Sequence, residues 1–469
     1  MGRVEVLNVG RFAPPPASAD KFFTPKDIAE KDALLPGDLV HWHGVRFEWT
    51  SRHAHASKLE SWRASGDNLA DAALDAAHYY KREMGGTPKK TKNEKECPFS
   101  QDNLSWVQEA ARKHDGAAGA FLAEVSEVPE FVDWARIARG QQFFLRNLAG
   151  AGSALLFVSL VGGFGAPRIN KVLSSTGYLT SPSKHTYRRL VETIQMVSDC
   201  MDPGSLHPGG SGWAAVLRVR LLHSAVRTRL MGQSDWDKDA WGVPINQEDL
   251  LVTQLAFSQL VLVSLERMRV PMSMQDMEDY LHLWRLIGHY MGVDSVLGAQ
   301  VFDFESTEAM LESVMLHLVE PDDTSAFISF NVLESVARYS PTKYTVEHMA
   351  SMTRRMVGET YADALGVPPG EGTWSGWIRV QTRIFNIQMA SFLAHLPVVG
   401  TYVTAFMHWG LKKVILKTQD GKRTQYLLKR SPSGQLRTLL ELEASSPRSS
   451  ASASPTCGSN PRSSFFARI

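Results

Sequence analysis

The stretch Ser211–Met231, SGWAAVLRVRLLHSAVRTRLM, decides the fold. It follows the turn Pro208-Gly209-Gly210, and Ser211 stands where a helix N-cap is expected. Val216, Val219, Val226 and Leu230 recur at i, i+3, i+10 and i+14, the spacing of one helical stripe. His223 falls inside that stripe, four residues after Val219 and three before Val226, so its imidazole points into a core. Arg220 and Arg227 lie on nearly the same face as His223, with Arg218 and Arg229 turned further away. Cations there require anions. Two arrangements satisfy the pattern. In one, His223 is a hydrogen-bonded core histidine among surface or ion-paired arginines. In the other, His223 ligates the iron of haem b, whose macrocycle covers the apolar stripe and whose propionates pair with Arg220 and Arg227.

Outward from this helix, apolar residues keep a helical period from about Phe131 to Leu365, with loops such as Asp202-Pro203-Gly204 between segments and little strand-type alternation. The reading is an all-α core domain over 131–365. Residues 1–130 read as an irregular N-terminal region with short helices such as Asp71–Met84. Residues 366–444 read as a C-terminal helical extension, and the Ser, Pro and Ala-rich residues 445–469 as a disordered tail. Leu148–Phe164 (LAGAGSALLFVSLVGGF) is seventeen uncharged residues, short for a bilayer span. Its small residues Gly150, Gly152, Ser153 and Ala154 suit a buried helix that another backbone or a flat cofactor approaches closely. Phe392–Lys417 is apolar and then basic, as an interfacial helix can be, but Pro397 and Gly400 interrupt it, so a docked helical hairpin is expected.

Fifty Lys and Arg stand against forty-nine Asp and Glu in the 469 residues, so global charge calls for no nucleic acid. Cys97, Cys200 and Cys457 are too scattered for a zinc ribbon, an iron–sulfur cluster or a disulfide scaffold. With an N-terminus lacking the apolar core of a secretory signal, they point to an intracellular, cytoplasmic protein. His41, His43, His53 and His55 form two H-x-H pairs, but Glu48 is the only carboxylate between them and no hairpin signal joins them, so a metal site there is not the favoured reading.

The run RLLHSAVR, Arg220–Arg227, resembles the haem-ligand helix of the family that contains the latex-clearing rubber oxygenases and the ER-bound oxygenase of fungal mycophenolic acid biosynthesis. Tyr187–Val197 (YRRLVETIQMV) resembles that family's distal helix, with Arg189 and Thr193 at its arginine and threonine positions. Trp241–Ser258 and Trp284–Val293 extend the resemblance. The resemblance implies a globin-like helical core around haem b with extra N- and C-terminal helices, with His223 as axial ligand and dioxygen as co-substrate. It also implies a small lipophilic substrate, isoprenoid or polyketide-like, oxidised at a carbon–carbon double bond and cleaved there, and peripheral contact with the ER membrane. The oligomeric state stays open.

The chain departs from relatives that carry a lysine beside the threonine: Glu192 stands there. Arg189, Glu192 and Thr193, at i, i+3 and i+4, share one helix face. They are the candidate catalytic residues, Arg189 for a developing anionic oxygen, Thr193 as a hydrogen-bond donor to dioxygen and Glu192 as a base. The same spacing equally fits an intrahelical ion pair beside a back-bonding threonine. A haem monooxygenase or peroxidase-like tailoring enzyme of secondary metabolism, and a non-catalytic haem-binding helical protein, remain the alternative functions.

Overall fold

The helical period of the middle region is realised as amphipathic helices, most of them opened by a side-chain cap. The computed structural model describes residues 22–84, 102–114, 116–177, 179–341, 344–424 and 426, all within one unit, Met1–Arg430. The Pro-rich start, the run Pro88–Glu96, Cys97, Cys457 and the tail 445–469 lie outside the described residues.

The principal helices are α1 (Asn68–Glu83), α2 (Asn103–Lys113), α3 (Ala117–Ser126), α4 (Trp134–Arg146) and α5 (Leu148–Ala154). Next come α6 (Lys184–Cys200), α7 (Ser211–Met231), α8 (Gln247–Phe257), α9 (Gln259–Arg267) and α10 (Met274–Met291). They are followed by α11 (Phe304–Leu318), α12 (Asp323–Tyr339), α13 (Val346–Val357), α14 (Trp374–His395) and α15 (Val399–Thr418). Asp67 caps α1 by accepting from Ala70 N, and α8 and α10 open with capping boxes, Asn246 with Asp249 and Ser273 with Asp276. The entry to α7 differs from the expected one. Ser211 is its first helical residue, and Gly210 is an N-cap without a side-chain bond. The preceding loop supplies the acceptor instead, Trp213 N donating to Ser205 O at 3.0 Å.

Helix α7 is the axis of the fold. Val216, Leu217, Leu221, Ala225 and Leu230 are completely buried, and each such Leu or Val contributes roughly 1.5–3 kcal/mol by leaving water. Around α7 pack α1, α2, α6 and α10. The N-terminal stretch therefore carries more helix than the short piece expected at 71–84, and α1, α2 and α3 also pack on one another.

A three-stranded sheet precedes these helices: β1 (Phe22–Phe23), β2 (Leu39–Trp42) and β3 (Val45–Glu48). Strand β1 pairs parallel to β2, and β2 antiparallel to β3 with Trp42 opposite Val45. Its turn, His43-Gly44, has φ of 47° and 87°, the two left-handed residues of a type I′ hairpin. That hairpin was not legible in the sequence because histidine, not the usual Asn or Asp, takes the first position.

Leu148–Phe164 is mostly buried, as its composition predicts. Gly150 lets α5 approach α9 and α14: an added Cβ would stand 2.6 Å from Leu265 Cδ2 and 3.1 Å from Ile387 Cγ2. The helix then widens into a π-turn at Leu155–Leu160 and a 3-10 turn at Gly162–Gly165. Among the described residues, Leu148–Gly165 and Gln247–Arg267 are long and apolar enough to cross a membrane, and both are 61% buried in the protein. The C-terminal helices α14 and α15 form the expected hairpin, one side packed on α4, α5 and α6.

Candidate active site

Where α6, α7, α8, α10 and the π-turn converge, they leave a cavity of about 730 Å³, within the range of pockets that enclose cofactors and small substrates. Val219, Leu222, His223 and Val226 of α7 form one part of its wall. Leu155, Leu156, Val158 and Leu160 of the π-turn form another, a placement common for π-turns, which re-aim side chains at functional sites. Gly152 lines it too, with nothing within 4 Å of where a Cβ would be. The wall is overwhelmingly apolar.

His223 stands apart on that wall. Its imidazole is pushed down to about 4, by burial first and by the Arg227 charge second, so the ring is neutral at physiological pH. Its Nδ1 is buried without a hydrogen-bond partner. Other buried side-chain atoms also lack a partner, Gln254 Oε1 and Trp284 Nε1 on this wall among them, but His223 is the histidine among the cavity-lining residues, and its ring is left without a hydrogen-bond partner. A hydrogen-bonded core histidine, the plainer of the two readings, would have that partner.

The arginines of α7 behave otherwise. Arg220 forms a bidentate pair with Asp67 at 2.6 and 3.1 Å, donates to Glu124 at 3.0 Å and lies over the Phe121 ring. Arg227 forms a bidentate pair with Asp71, at 2.8 Å from Nε and 2.9 Å from Nη2, and donates to Ile245 O at 2.7 Å. Neither lines the cavity. The assignment of Arg220 and Arg227 to haem propionates is therefore corrected: their anions are carboxylates of the protein. At about 100° per residue they lie some 40–60° to one side of His223, while Val219, Leu222 and Val226 lie on the other. His223 sits on the border between a polar flank and a cavity flank. The cavity-lining guanidiniums are Arg46, Arg189 and Arg267.

Arg189, Glu192 and Thr193 are brought together on the cavity wall. Arg189 Nη1 is 2.5 Å from Glu192 Oε2, Arg188 Nε is 3.7 Å from Glu192 Oε1, and Thr193 Oγ1 donates to Arg189 O at 3.3 Å. The ion pair beside a back-bonding threonine is thus formed, and it faces the cavity. Glu192 is buried and doubly paired, a carboxylate that orients Arg189.

Sequence reasoning missed the acidic pair at the start of α8. Asp249 lines the cavity, and its carboxyl is pushed up to about 7 by burial and by the neighbouring Glu248. Glu248, raised by burial, accepts from His317 Nδ1 at 2.6 Å. His317 Nε2 reaches Glu60 at 3.0 Å, and Glu60 also pairs with Arg63 at 2.9 Å and Arg168 at 2.7 Å. The signal was present in Gln247-Glu248-Asp249, where two adjacent acids precede the apolar run Leu250-Leu251-Val252. His282 packs in the core, its Nε2 accepting from Asp133 N at 3.0 Å.

Residues 144–385, just over half the chain, match the family described as the catalytic domain of ER-bound oxygenase mpaB/B' and rubber oxygenase. The chain belongs to that family. It is 23% identical over 257 residues to the rubber oxygenase of Streptomyces sp. strain K30, an alignment covering 53% of this chain and 60% of the relative. The chain thus spans less than two thirds of that relative's length. Its fold is similar to that of latex clearing protein LCP in the closed state, with a TM-score of 0.55 at 20% identity, covering 76% of this chain and 91% of that one. Family residues 144–385 contain α6, α7 and the π-turn.

Proposed function

We propose that this family member is an oxygenase that holds haem b through His223 and cleaves a carbon–carbon double bond of a lipophilic, isoprenoid or polyketide-like substrate to two carbonyls. The observation that carries the reading is His223: a neutral imidazole with an unpartnered buried nitrogen on the wall of a large apolar cavity. The residues fit the cofactor, since a neutral imidazole is the usual haem ligand and an apolar box suits the macrocycle. Bound haem supplies the activation of dioxygen.

The protein's own groups do the rest. The apolar wall accepts hydrocarbon and excludes water, which strengthens every polar interaction inside. Arg189, fixed by Glu192, holds a positive charge at the wall for developing negative charge on oxygen. The Thr193 hydroxyl is the neutral donor beside it, exchanging its back-bond to Arg189 O for a bond to the reacting oxygen. Asp249, protonated up to about pH 7, holds a proton at the same wall.

The test is product analysis with labelled dioxygen and a polyene substrate. Label in both carbonyl fragments is expected. A single labelled hydroxyl or epoxide oxygen would overturn cleavage in favour of mono-oxygenation, and haem binding without any turnover would leave a non-catalytic haem protein. Thr193→Val should lower turnover by on the order of a hundredfold without changing stability.

A further inference from the structure

The hairpin α14–α15 presents an outer face on which no other described residue packs. On α14, Trp374, Trp377, Phe385 and Phe392 are exposed, Trp374 to 75%. At about 100° per residue they fall within some 60° of a single line. On α15, Tyr402, Phe406 and Trp409 are exposed, the first two to 73% and 69%, in an arc of about 60°. Isolated exposed apolar residues are ordinary, but two aligned aromatic stripes on adjoining helices are a contact surface.

Charge identifies the partner. From Trp374 to Gln419 the sequence contains no Asp or Glu and five Lys or Arg, of which Arg379 pairs with Glu371 and Lys412 with Asp202. The arc on α15 runs directly into Lys413 and Lys417, both exposed, and the Lys413 ammonium lies 5.6 Å over the Trp409 ring. Trp and Tyr with basic residues beside them are the composition of a helix at headgroup level. Neither helix is among those long and apolar enough to span a bilayer, and their composition suits the interface instead.

We propose that the outer face of α14–α15 docks on an anionic lipid bilayer. The opposite side of α15 contributes Leu411, Val414 and Ile415 to the cavity wall. One helix therefore separates the lipid surface from the cavity, a short route for a hydrocarbon substrate. That route rests on the lipophilic-substrate reading above. The docking does not.

The test is flotation of the full chain with vesicles of phosphatidylcholine alone or mixed with phosphatidylserine. Binding to the mixed vesicles is expected, weakening at high salt. Replacing the three exposed residues of α15 together (Tyr402→Ser, Phe406→Ser, Trp409→Ser) should lower partitioning by on the order of a hundredfold. Lys413→Glu with Lys417→Glu should lower it by on the order of tenfold or more on anionic vesicles only. Both variants should retain wild-type circular dichroism and haem absorbance, which separates this test from the proposed function. Absence of flotation, or equal flotation of the variants, would overturn the proposal. So would a wild-type dimer in light scattering that the aromatic variant converts to monomer without any vesicle binding, since the face would then meet a second copy.

Discussion

The two flanks of α7 are built from the same helix and differ in what they leave unfinished. On the flank toward α1, Arg220 and Arg227 donate in bidentate pairs to Asp67 and Asp71, with Glu124 and the Ile245 carbonyl completing the set. On the cavity flank, His223 Nδ1 has no partner. A saturated buried network is architecture, because its members answer one another. A neutral imidazole left unbonded on a cavity wall is open to a ligand.

The largest effect should come from breaking the saturated flank. The side chains of Arg220 and Asp67 are 3% and 5% exposed, so Arg220→Ala strands a buried carboxylate and should cost about 3–5 kcal/mol in chemical denaturation. Arg220→Met combined with Asp67→Leu should recover most of that loss. If Arg220→Ala is neutral, the network is not structural. Gly292 belongs to the same flank: at φ 90°, a Cβ would stand 2.3 Å from Asp67 Oδ2 and 2.7 Å from Arg220 Nε. Gly292→Ala should therefore destabilise through both backbone strain and the displaced pair.

A smaller loss, about 1.5–3 kcal/mol, is expected for Arg227→Gln, whose partner Asp71 is 28% exposed. Haem titration sharpens the comparison here. Affinity per folded molecule should be unchanged, whereas a specific loss would return Arg227 to the cofactor.

The smallest effect belongs to Asp249 on the cavity flank. Its folded pKa of about 7 lies above the ordinary 3.8, so between those values the folded state binds the extra proton and wild-type stability falls as pH rises. Asp249→Asn removes that decline. Relative to wild type its stability should rise from pH 5 to pH 8, read as a melting-temperature difference that grows with pH, the amide retaining part of the cap. A gain that does not grow with pH would contradict the assignment.

Much of this was legible in the sequence. The extent of α7 and the burial of its stripe follow from valine and leucine spacing, and the π-turn segment was recognisable as a buried, small-residue stretch. The partners of Arg220 and Arg227 were not legible. They lie 153 and 156 residues away in sequence, and i, i+3 and i+4 rules describe neighbours on one helix only. A long guanidinium stem also reaches about 60° around the helix, so sharing a face with His223 did not mean sharing a ligand. Glu192 was legible as a partner of Arg189 by spacing. Asp249 was not, because its raised pKa depends on burial that a helix start does not reveal.

The central claim is that His223 completes the iron site. The direct measurement is the absorbance spectrum of purified chain titrated with haem, for the wild type and for His223→Ala, with folding monitored by circular dichroism. The account predicts a sharp Soret band at one haem per chain for the wild type and its loss or displacement in a folded His223→Ala protein. A wild type that binds no haem, or a variant whose Soret band is unchanged, would contradict it.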